Sequence, residues 1–261
     1  MSTEGQVFIN NDCFVYYEVF GSGPQVLLMI PGAIGTGRTD YSELLIGSNA
    51  LDHDQFTLVA IELPGWGRSR PPHRQHSSNV FTNDADCCVQ LMRSLGYEKF
   101  QVLGWSEGTR VALVLAANYP DLVTAMVGLA MTPYASDMQM KNISYTVDTS
   151  KWSRDLIDRY LRVYKDRHEI QQLWEQHTLF IGNFLKWFPN GICNNNYDSI
   201  KCRIFLIHGD RDKLVELDQI EHLQANIANI KVHRFPMGGH NMHLVYQQEV
   251  KLMVENFLLN K

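Results

Sequence analysis

The feature that most constrains the fold of this chain is the stretch Gly104-Trp105-Ser106-Glu107-Gly108. Strand-forming residues lead into it from Phe100, and a helix-compatible run follows it from Thr109. A strand, a Gly-x-Ser-x-Gly turn and a helix in this order are typical of a nucleophile elbow. The two glycines permit a turn too tight for larger residues, so we expect the Ser106 hydroxyl to stand exposed at its tip.

Apolar or β-branched runs alternate with helical patterns over most of the chain. The run 26–30, for example, is apolar at every position, as strands buried on both faces tend to be. Such alternation predicts an α/β fold, with a mainly parallel, doubly wound sheet whose ligands collect beyond the carboxyl ends of the strands. We predict strands at 13–19, 26–30, 57–63, 100–105, 125–131, 203–208 and 230–235, and helices near 83–95, 107–119, 216–227 and 243–259.

Residues 134–198 interrupt this alternation, because their pattern is helical only. One helical face of the segment carries Ile170, Leu173, Trp174, His177, Ile181 and Phe184. We therefore predict an α/β core at 1–133 and 199–261, and an all-helical cap at 134–198 that is inserted in the core and lies over the strand ends. Packing is the simpler role for the aromatic side chains of the cap and for His177.

Composition and charge exclude several classes of partner. A formal net charge of -5 and a pI near 6.0 speak against nucleic acid and anionic membranes. The start of the chain shows no signal or transit pattern, and no apolar run is long enough to cross a bilayer. The five cysteines and the histidines lack metal-ligand spacing, so we expect reduced thiols, no metal and a cytoplasmic location.

To act as a nucleophile, Ser106 needs a base that takes its proton and a carboxylate that fixes the tautomer of that base. In this topology the acid and the base follow later strands, in the order Ser, Asp, His. One predicted strand runs into Gly209-Asp210-Arg211-Asp212, and the next runs into Pro236-Met237-Gly238-Gly239-His240. Both stretches fall in strand-to-helix loops, which predicts a catalytic triad of Ser106, Asp212 and His240.

Each of the two partners has a competitor nearby in the sequence. Asp210 competes with Asp212, and either could be an ordinary turn or cap residue. His243 competes with His240, but it already begins the apolar pattern of the last helix. His240 follows two glycines that let the loop bend back towards Ser106. We therefore favour Asp212 and His240.

These motifs resemble the α/β-hydrolase superfamily with a cap, and in particular the valacyclovir hydrolases, also called biphenyl hydrolase-like proteins. The resemblance extends nearly from end to end of the chain. It depends on Leu28-Met29-Ile30-Pro31-Gly32, Pro64-Gly65-Trp66-Gly67-Arg68-Ser69-Arg70-Pro71-Pro72, Gly104-Trp105-Ser106-Glu107-Gly108, Ser150-Lys151-Trp152-Ser153, His208-Gly209-Asp210-Arg211-Asp212 and His240-Asn241-Met242-His243-Leu244.

The resemblance implies a metal-free and cofactor-free serine hydrolase of amino-acid esters. The backbone N–H groups of Glu107 and Ala33 would form the oxyanion hole, with Ile34 as the alternative second donor. Glu107 would also hold the α-ammonium group of the substrate, and Ile34 and Trp105 are further predicted substrate contacts. The family more usually has aspartate at the position of Glu107 and glycine at that of Thr109. We expect a monomer whose partner is a small-molecule ester.

The role of Glu107 also has a physical basis. A carboxylate about 6 Å from the developing oxyanion would oppose it by roughly 3 kcal/mol at an effective dielectric near 20. A substrate ammonium would neutralise that carboxylate and be oriented by it. In the alternative interpretation, Glu107 stabilises the dipole of its helix and pairs with Arg110, three residues on.

Other functions share parts of this pattern. A general carboxylesterase or a carbon–carbon bond hydrolase would use the same triad without amine selectivity, although Glu107 would repel the anionic substrates of the latter. Epoxide hydrolases and dehalogenases of this fold normally use an aspartate nucleophile, which Ser106 speaks against. A non-enzymatic ligand-binding protein has no need of Ser106 and His240 and is a distant third hypothesis.

Overall fold

The computed structural model describes residues 2–10, 13–195 and 197–260, which form an eight-stranded sheet flanked by helices. The strands are β1 (Ser2–Asn10), β2 (Cys13–Phe20), β3 (Gln25–Ile30), β4 (Phe56–Glu62), β5 (Phe100–Trp105), β6 (Val123–Leu129), β7 (Arg203–Gly209) and β8 (Ile230–Phe235). Their order in the sheet is β1-β2-β4-β3-β5-β6-β7-β8. The β1–β2 and β2–β4 pairs are antiparallel, and the remaining pairs are parallel.

From β3 onwards, the α-helices of the described residues alternate with the strands outside the segment between β6 and β7. They are α1 (Gly37–Asp40), α2 (Ser42–Leu45), α3 (Val80–Ser94), α4 (Glu107–Asn118), α5 (Asp137–Ser144), α6 (Arg154–Tyr160), α7 (Arg167–Gly182), α8 (Phe184–Trp187), α9 (Leu217–Asn226), α10 (Met242–Val245) and α11 (Gln247–Leu258). None of these helices is both long and apolar enough to cross a membrane. The α/β fold class predicted from the sequence is confirmed.

The parallel part of the sheet forms the centre of the core. Every residue of β4 and of β5 is buried, because helices or loops cover both faces of these strands. The loops that follow β5, β7 and β8 carry Ser106, Asp212 and His240. Because parallel strands end at the same edge of a sheet, this topology brings the three loops together.

The sequence prediction misses one strand and joins two helices. β1 was not predicted, because an edge strand with mostly exposed positions has no apolar run to mark it. The predicted helix 243–259 is two helices, α10 and α11, separated at Tyr246 (φ -99°, ψ 50°). The Tyr246 ring stacks on Phe235 with a centroid distance of 4.3 Å, a contact that no sequence period reveals.

Between β6 and β7 the regular elements of the described residues are all helical. They are α5 to α8 and two 3₁₀ turns, Thr149–Lys151 and Ile192–Asn195. Aromatic side chains pack this segment internally and against the core. Trp152 meets Trp174 edge-on at 5.0 Å, and Phe81 of α3 lies 5.2 Å from Phe188. The helical character of 134–198 matches the sequence pattern, whereas the domain boundaries 1–133, 134–198 and 199–261 stay a prediction.

Candidate active site

Ser106 lies at a sharp turn between β5 and α4, with φ 53° and ψ -122°. Positive φ is strained for a residue with a side chain and is tolerated only where the surroundings hold it. A Cβ atom at Gly108 would lie 2.3 Å from the carbonyl oxygen of Ile30, and one at Gly104 would lie 2.7 Å from the carbonyl oxygen of Gly108. Both glycines are therefore needed for this close turn, which leaves the Ser106 side chain half-buried at the edge of a cavity.

The structure joins Ser106, His240 and Asp212 in a hydrogen-bonded chain. His240 Nε2 lies 2.9 Å from Ser106 Oγ, and His240 Nδ1 lies 2.8 Å from Asp212 Oδ2. A neutral imidazole with its proton on Nδ1 satisfies both contacts: Nδ1–H donates to Asp212, and Ser106 donates to Nε2. This is the geometry in which an imidazole can take the serine proton.

Asp212 is held for this contact by the backbone of its own loop. Its Oδ1 accepts hydrogen bonds from the N–H groups of Leu214 (2.7 Å) and Val215 (3.0 Å). Burial acts to raise the pKa of Asp212, but His240 and these N–H donors outweigh it and hold the pKa below its usual range. The carboxylate is thus ionised at neutral pH and can stabilise an imidazolium.

Asp210 and His243, the competing candidates for the acid and the base, lie outside this hydrogen-bonded chain. Asp210 forms a surface ion pair with Arg234 at 2.6 Å. His243 is buried, with its ring centroid 4.9 Å from that of Trp105 and its Nε2 3.0 Å from the carbonyl oxygen of Asp40. Burial lowers the pKa of His243 to about 3, so it is neutral. Neither residue contacts the Ser106 hydroxyl.

The loop that follows β3 contains the predicted oxyanion donor Ala33, which lines the same cavity as Ser106. The N–H of Gly32 donates to Asp40 Oδ2 at 2.8 Å, and the Tyr164 hydroxyl donates to the carbonyl oxygen of Ile34 at 2.5 Å. The same hydroxyl accepts a hydrogen bond from the N–H of Gly67 (3.0 Å). This loop is therefore held from both sides, although the oxyanion role of Ala33 stays a prediction.

Glu107, the other predicted oxyanion donor, and the predicted substrate contacts Trp105 and Ile34 differ in their position relative to the cavity. Glu107 is the first residue of α4, so its N–H has no partner within the helix. Trp105 lines the cavity, as a substrate contact would. Ile34 is fully buried at φ 53° and is not among the lining residues, because its backbone turns the side chain into the core. The expectation that Ile34 contacts the substrate is therefore not supported.

Asp40 is a buried carboxylic acid that the sequence analysis did not single out. It accepts hydrogen bonds from Gly32 N–H and from the Thr39 hydroxyl (2.7 Å). Burial raises its pKa to about 7 in spite of these bonds. Its contact with Gly32 depends on the path of the chain from β3 to α1. No residue spacing in the sequence predicts that path.

The cavity beside Ser106 has a volume of about 270 Å³. One side carries the polar groups of α4 and its neighbours, and the rest is apolar. The apolar lining comes largely from the segment between β6 and β7, namely Ile143, Trp152, Leu156, Tyr160, Trp174 and Ile181. Some aromatic residues for which packing was the simpler expected role thus also face the space where a ligand would bind.

Glu107 is the buried anion of this cavity. Its carboxylate lies 3.2 Å from His177 Nδ1, 3.7 Å from Arg74 Nη2 and 4.0 Å from Arg110 Nη1. Neither of its oxygens accepts a hydrogen bond from a described residue. Burial raises the pKa of Glu107, and the two arginines partly offset that effect.

The two arginines use most of their donors on other partners. Arg74 binds Asp84 through two hydrogen bonds, of 2.7 and 2.6 Å. Arg110 donates from Nε to the carbonyl oxygen of Thr132 (3.2 Å) and from Nη2 to its hydroxyl (3.0 Å). The predicted alternative, a Glu107–Arg110 pair, is therefore a charge contact at 4.0 Å rather than a hydrogen bond.

The contacts of Glu107 bring together elements that are distant in the sequence. Arg74 lies in the loop before α3, and His177 lies on α7. His177 is a buried histidine on the predicted apolar face, and it also lines the cavity. Within the described ranges, no cluster of three or more His, Cys, Asp or Glu side chains could hold a metal ion.

Comparisons with known proteins agree with this architecture. Residues 25–154 match the family model described as alpha/beta hydrolase fold. The chain is 32% identical to the serine hydrolase BPHL of Mus musculus over 257 residues, which are 98% of this chain and 86% of the relative. It is 30% identical to the serine hydrolase BPHL of Homo sapiens, again over 98% of this chain and 86% of the relative.

A solved structure shares the fold at much lower sequence identity. The 2-hydroxy-6-oxo-6-phenylhexa-2,4-dienoate hydrolase of Rhodococcus sp. strain RHA1 matches with a TM-score of 0.79 and 15% identity. The match covers 100% of this chain and 99% of that chain. At this identity the likeness concerns the fold alone.

Proposed function

This chain is a member of the biphenyl hydrolase-like serine hydrolases of the α/β-hydrolase superfamily, and we propose that it hydrolyses small esters of α-amino acids. Family membership makes it a hydrolase, whereas the substrate and the roles of individual residues are our proposal. The observation that carries the proposal is the buried carboxylate of Glu107, which lacks a hydrogen-bond donor and lines the same cavity as the Ser106 hydroxyl.

In the first half-reaction, Ser106 Oγ attacks the ester carbonyl while His240 Nε2 takes its proton. Asp212 keeps the imidazole in the required tautomer and stabilises the imidazolium that forms. Negative charge develops on the carbonyl oxygen and is received by the N–H groups of Ala33 and Glu107. Each such donor typically contributes about 3 kcal/mol of transition-state stabilisation. His240 then returns the proton to the leaving alcohol.

In the second half-reaction, water attacks the acyl-enzyme. His240 takes a proton from the water, and the second tetrahedral intermediate collapses to the free acid and Ser106. The same base serves both steps because the leaving alcohol and the attacking water occupy the same side of the acyl group. No step requires a metal ion or an organic cofactor.

The α-amino group gives Glu107 a role that fits its position. A carboxylate at about 6 Å opposes the developing oxyanion by roughly 3 kcal/mol at an effective dielectric near 20. Arg110 Nη1, 4.0 Å from Glu107, attracts it by about 4 kcal/mol on the same scale. An ammonium in hydrogen-bond contact, at about 3 Å, would gain roughly 5 kcal/mol and would also fill the two oxygens that lack donors.

The test compares kcat/KM for activated phenylalanine, valine and alanine esters with that of their deaminated counterparts at neutral pH. We expect the amino ester to be preferred by a hundredfold or more, about 2.7 kcal/mol of differential transition-state binding. Glu107→Gln should abolish most of this preference, while Glu98→Gln, at a surface glutamate before β5, should preserve it. Equal rates for the paired substrates would instead indicate a general carboxylesterase whose Glu107 is neutralised by Arg110.

A further inference from the structure

The polar side of the cavity is electrically balanced before any substrate binds. Two guanidinium groups, Arg74 and Arg110, face two carboxylates, Asp84 and Glu107, within one buried cluster. The adjoining histidines add no charge, because burial lowers the pKa of His76 to about 4 and of His177 to about 3. An ammonium bound to Glu107 would therefore leave one excess positive charge in a buried space.

Arg110 is the group that would face this excess charge. Its guanidinium lines the cavity, and it is held in place by Thr132 and by the Phe184 ring, whose centroid lies 4.4 Å from the guanidinium carbon. The hydrogen bonds of Arg110 to described residues all come from Nε and Nη2, so Nη1 is the nitrogen left for a ligand. Among the described residues, the one ion-pair partner of Arg110 is Glu107, at 4.0 Å, which is too far for a hydrogen bond.

Glu107 and Arg110 thus present, side by side, acceptors and donors that make no hydrogen bond to a described residue. They are three residues apart on α4, so their side chains lie on the same face of the helix. Glu107 offers two acceptor oxygens, and Arg110 offers the donors of Nη1. A ligand that carries an ammonium and a carboxylate a few bonds apart would fill both and would restore the charge balance of the cluster.

We infer that the acyl pocket takes a monoester of an α-amino dicarboxylic acid, with its ammonium on Glu107 and its free carboxylate on Arg110. This inference rests on the proposed role of Glu107 in binding the amine. The ester is at either the α- or the side-chain carboxyl group, because both isomers leave one ammonium and one free carboxylate. Hydrolysis breaks the acyl–oxygen bond, adds the elements of water, and releases the dicarboxylic amino acid and the alcohol.

The apolar side of the cavity suits the alcohol part of such an ester. Trp152, Trp174 and Leu156 line it and offer no charged group. Benzyl esters are therefore suitable probes. The panel consists of the α-benzyl and β-benzyl esters of aspartate, the benzyl ester of leucine, and benzyl 4-methylpentanoate, which is the leucine ester without its amine.

Leucine and aspartate side chains have similar size and shape, so the comparison of the leucine ester with the α-benzyl ester of aspartate isolates the carboxylate. For the wild-type protein at pH 7.5, we expect kcat/KM for one or both aspartate esters to exceed that for the leucine ester at least tenfold, or about 1.4 kcal/mol. In Arg110→Met this ratio should fall below one. Arg162→Met, at an exposed arginine outside the cavity, should keep the wild-type ratio.

The outcomes separate this inference from the function on which it rests. If neither aspartate ester is better than the leucine ester with the wild-type protein, the inference is wrong, whether or not Arg110→Met folds. A tenfold preference that persists in folded Arg110→Met would also overturn the assignment of Arg110. If the leucine ester is no better than benzyl 4-methylpentanoate, the amine-binding role of Glu107 fails first.

Discussion

The cavity beside Ser106 has two polar sides that differ in how completely their hydrogen bonds are formed. On one side, Ser106, His240 and Asp212 are joined by bonds of 2.9 and 2.8 Å, and Asp212 accepts two more from its own loop. On the other side, neither oxygen of Glu107 accepts a hydrogen bond from a described residue. We interpret the paired side as the reacting machinery and the unpaired side as the part that the substrate completes.

The unpaired side has a cost in stability. A buried polar atom without a partner typically destabilises a fold by about 1–3 kcal/mol. The fold offsets part of this cost for Glu107 by placing Arg74 and Arg110 at 3.7 and 4.0 Å. Strain is also present on the paired side, at the positive φ of Ser106. The unpaired carboxylate of Glu107 and the strained backbone of Ser106 both lie where we propose that the chemistry occurs.

The largest expected effect comes from removing the nucleophile of the paired side. Ser106→Ala should lower kcat on a preferred ester about a million-fold. The protein should stay folded, because the substitution removes only a hydroxyl group and leaves the hydrogen bond between His240 and Asp212 in place. Measurable turnover by the purified variant, above the uncatalysed rate, would show that Ser106 is not the nucleophile. Thermal unfolding followed by circular dichroism provides the folding control.

A smaller but still large effect should follow from changing the acid while keeping its shape. Asp212→Asn should lower kcat about ten-thousand-fold, because an amide favours the wrong tautomer of His240. Asp210→Asn provides the matched control on the same loop, since Asp210 pairs with Arg234 at the surface, and it should retain kcat within about twofold. If the two variants exchanged these effects, the acid of the triad would be Asp210.

The smallest of the three effects concerns stability at the loop that follows β3. Burial raises the pKa of Asp40 to about 7, whereas an aspartate in an unfolded chain titrates near 4. Between these pH values the folded protein holds a proton that the unfolded chain has lost, so the free energy of unfolding falls as pH rises. The amide in Asp40→Asn does not titrate, so the variant should lack this loss. Its free energy of unfolding, compared with that of wild type, should therefore rise by about 4 kcal/mol between pH 4 and pH 8.

Urea unfolding at several pH values measures this difference. Thr57→Val removes a similarly buried hydrogen bond, from Thr57 Oγ1 to the carbonyl oxygen of Gly23 at 2.7 Å, without changing a titratable group. Its stability curve should stay parallel to that of wild type. An Asp40→Asn curve that is also parallel to wild type would mean that Asp40 keeps an ordinary pKa in the folded protein.

The sequence predicted the paired side of the cavity better than the unpaired side, for a physical reason. Ser106, Asp212 and His240 each follow a strand, and parallel topology places strand ends at one edge of the sheet. Local pattern and topology together were therefore enough to select these residues. The choice of His240 over His243 depended on the flexibility of Gly238 and Gly239 and on the apolar pattern that already begins at His243.

The environment of Glu107 could not be derived in this way. Arg74 and His177 reach it from the loop before α3 and from α7, and their approach depends on how helices pack over the sheet. Asp40, at the end of α1, binds the loop after β3 through Gly32 N–H, and this contact depends on the path of the chain between the two elements. The edge strand β1 and the break at Tyr246 were missed for a similar reason, since pairing and ring stacking leave no period in the sequence.

The Tyr164 hydroxyl connects parts of the molecule that would have to separate if the helical segment lifted from the sheet. It donates to the carbonyl oxygen of Ile34 and accepts from the N–H of Gly67, so both bonds must break in such a motion. Their loss would free the Ile34 end of the loop that carries Ala33, while the bond from Gly32 N–H to Asp40 would remain. The donor that we propose for the oxyanion is therefore firmly placed only when the helical segment is closed over the sheet.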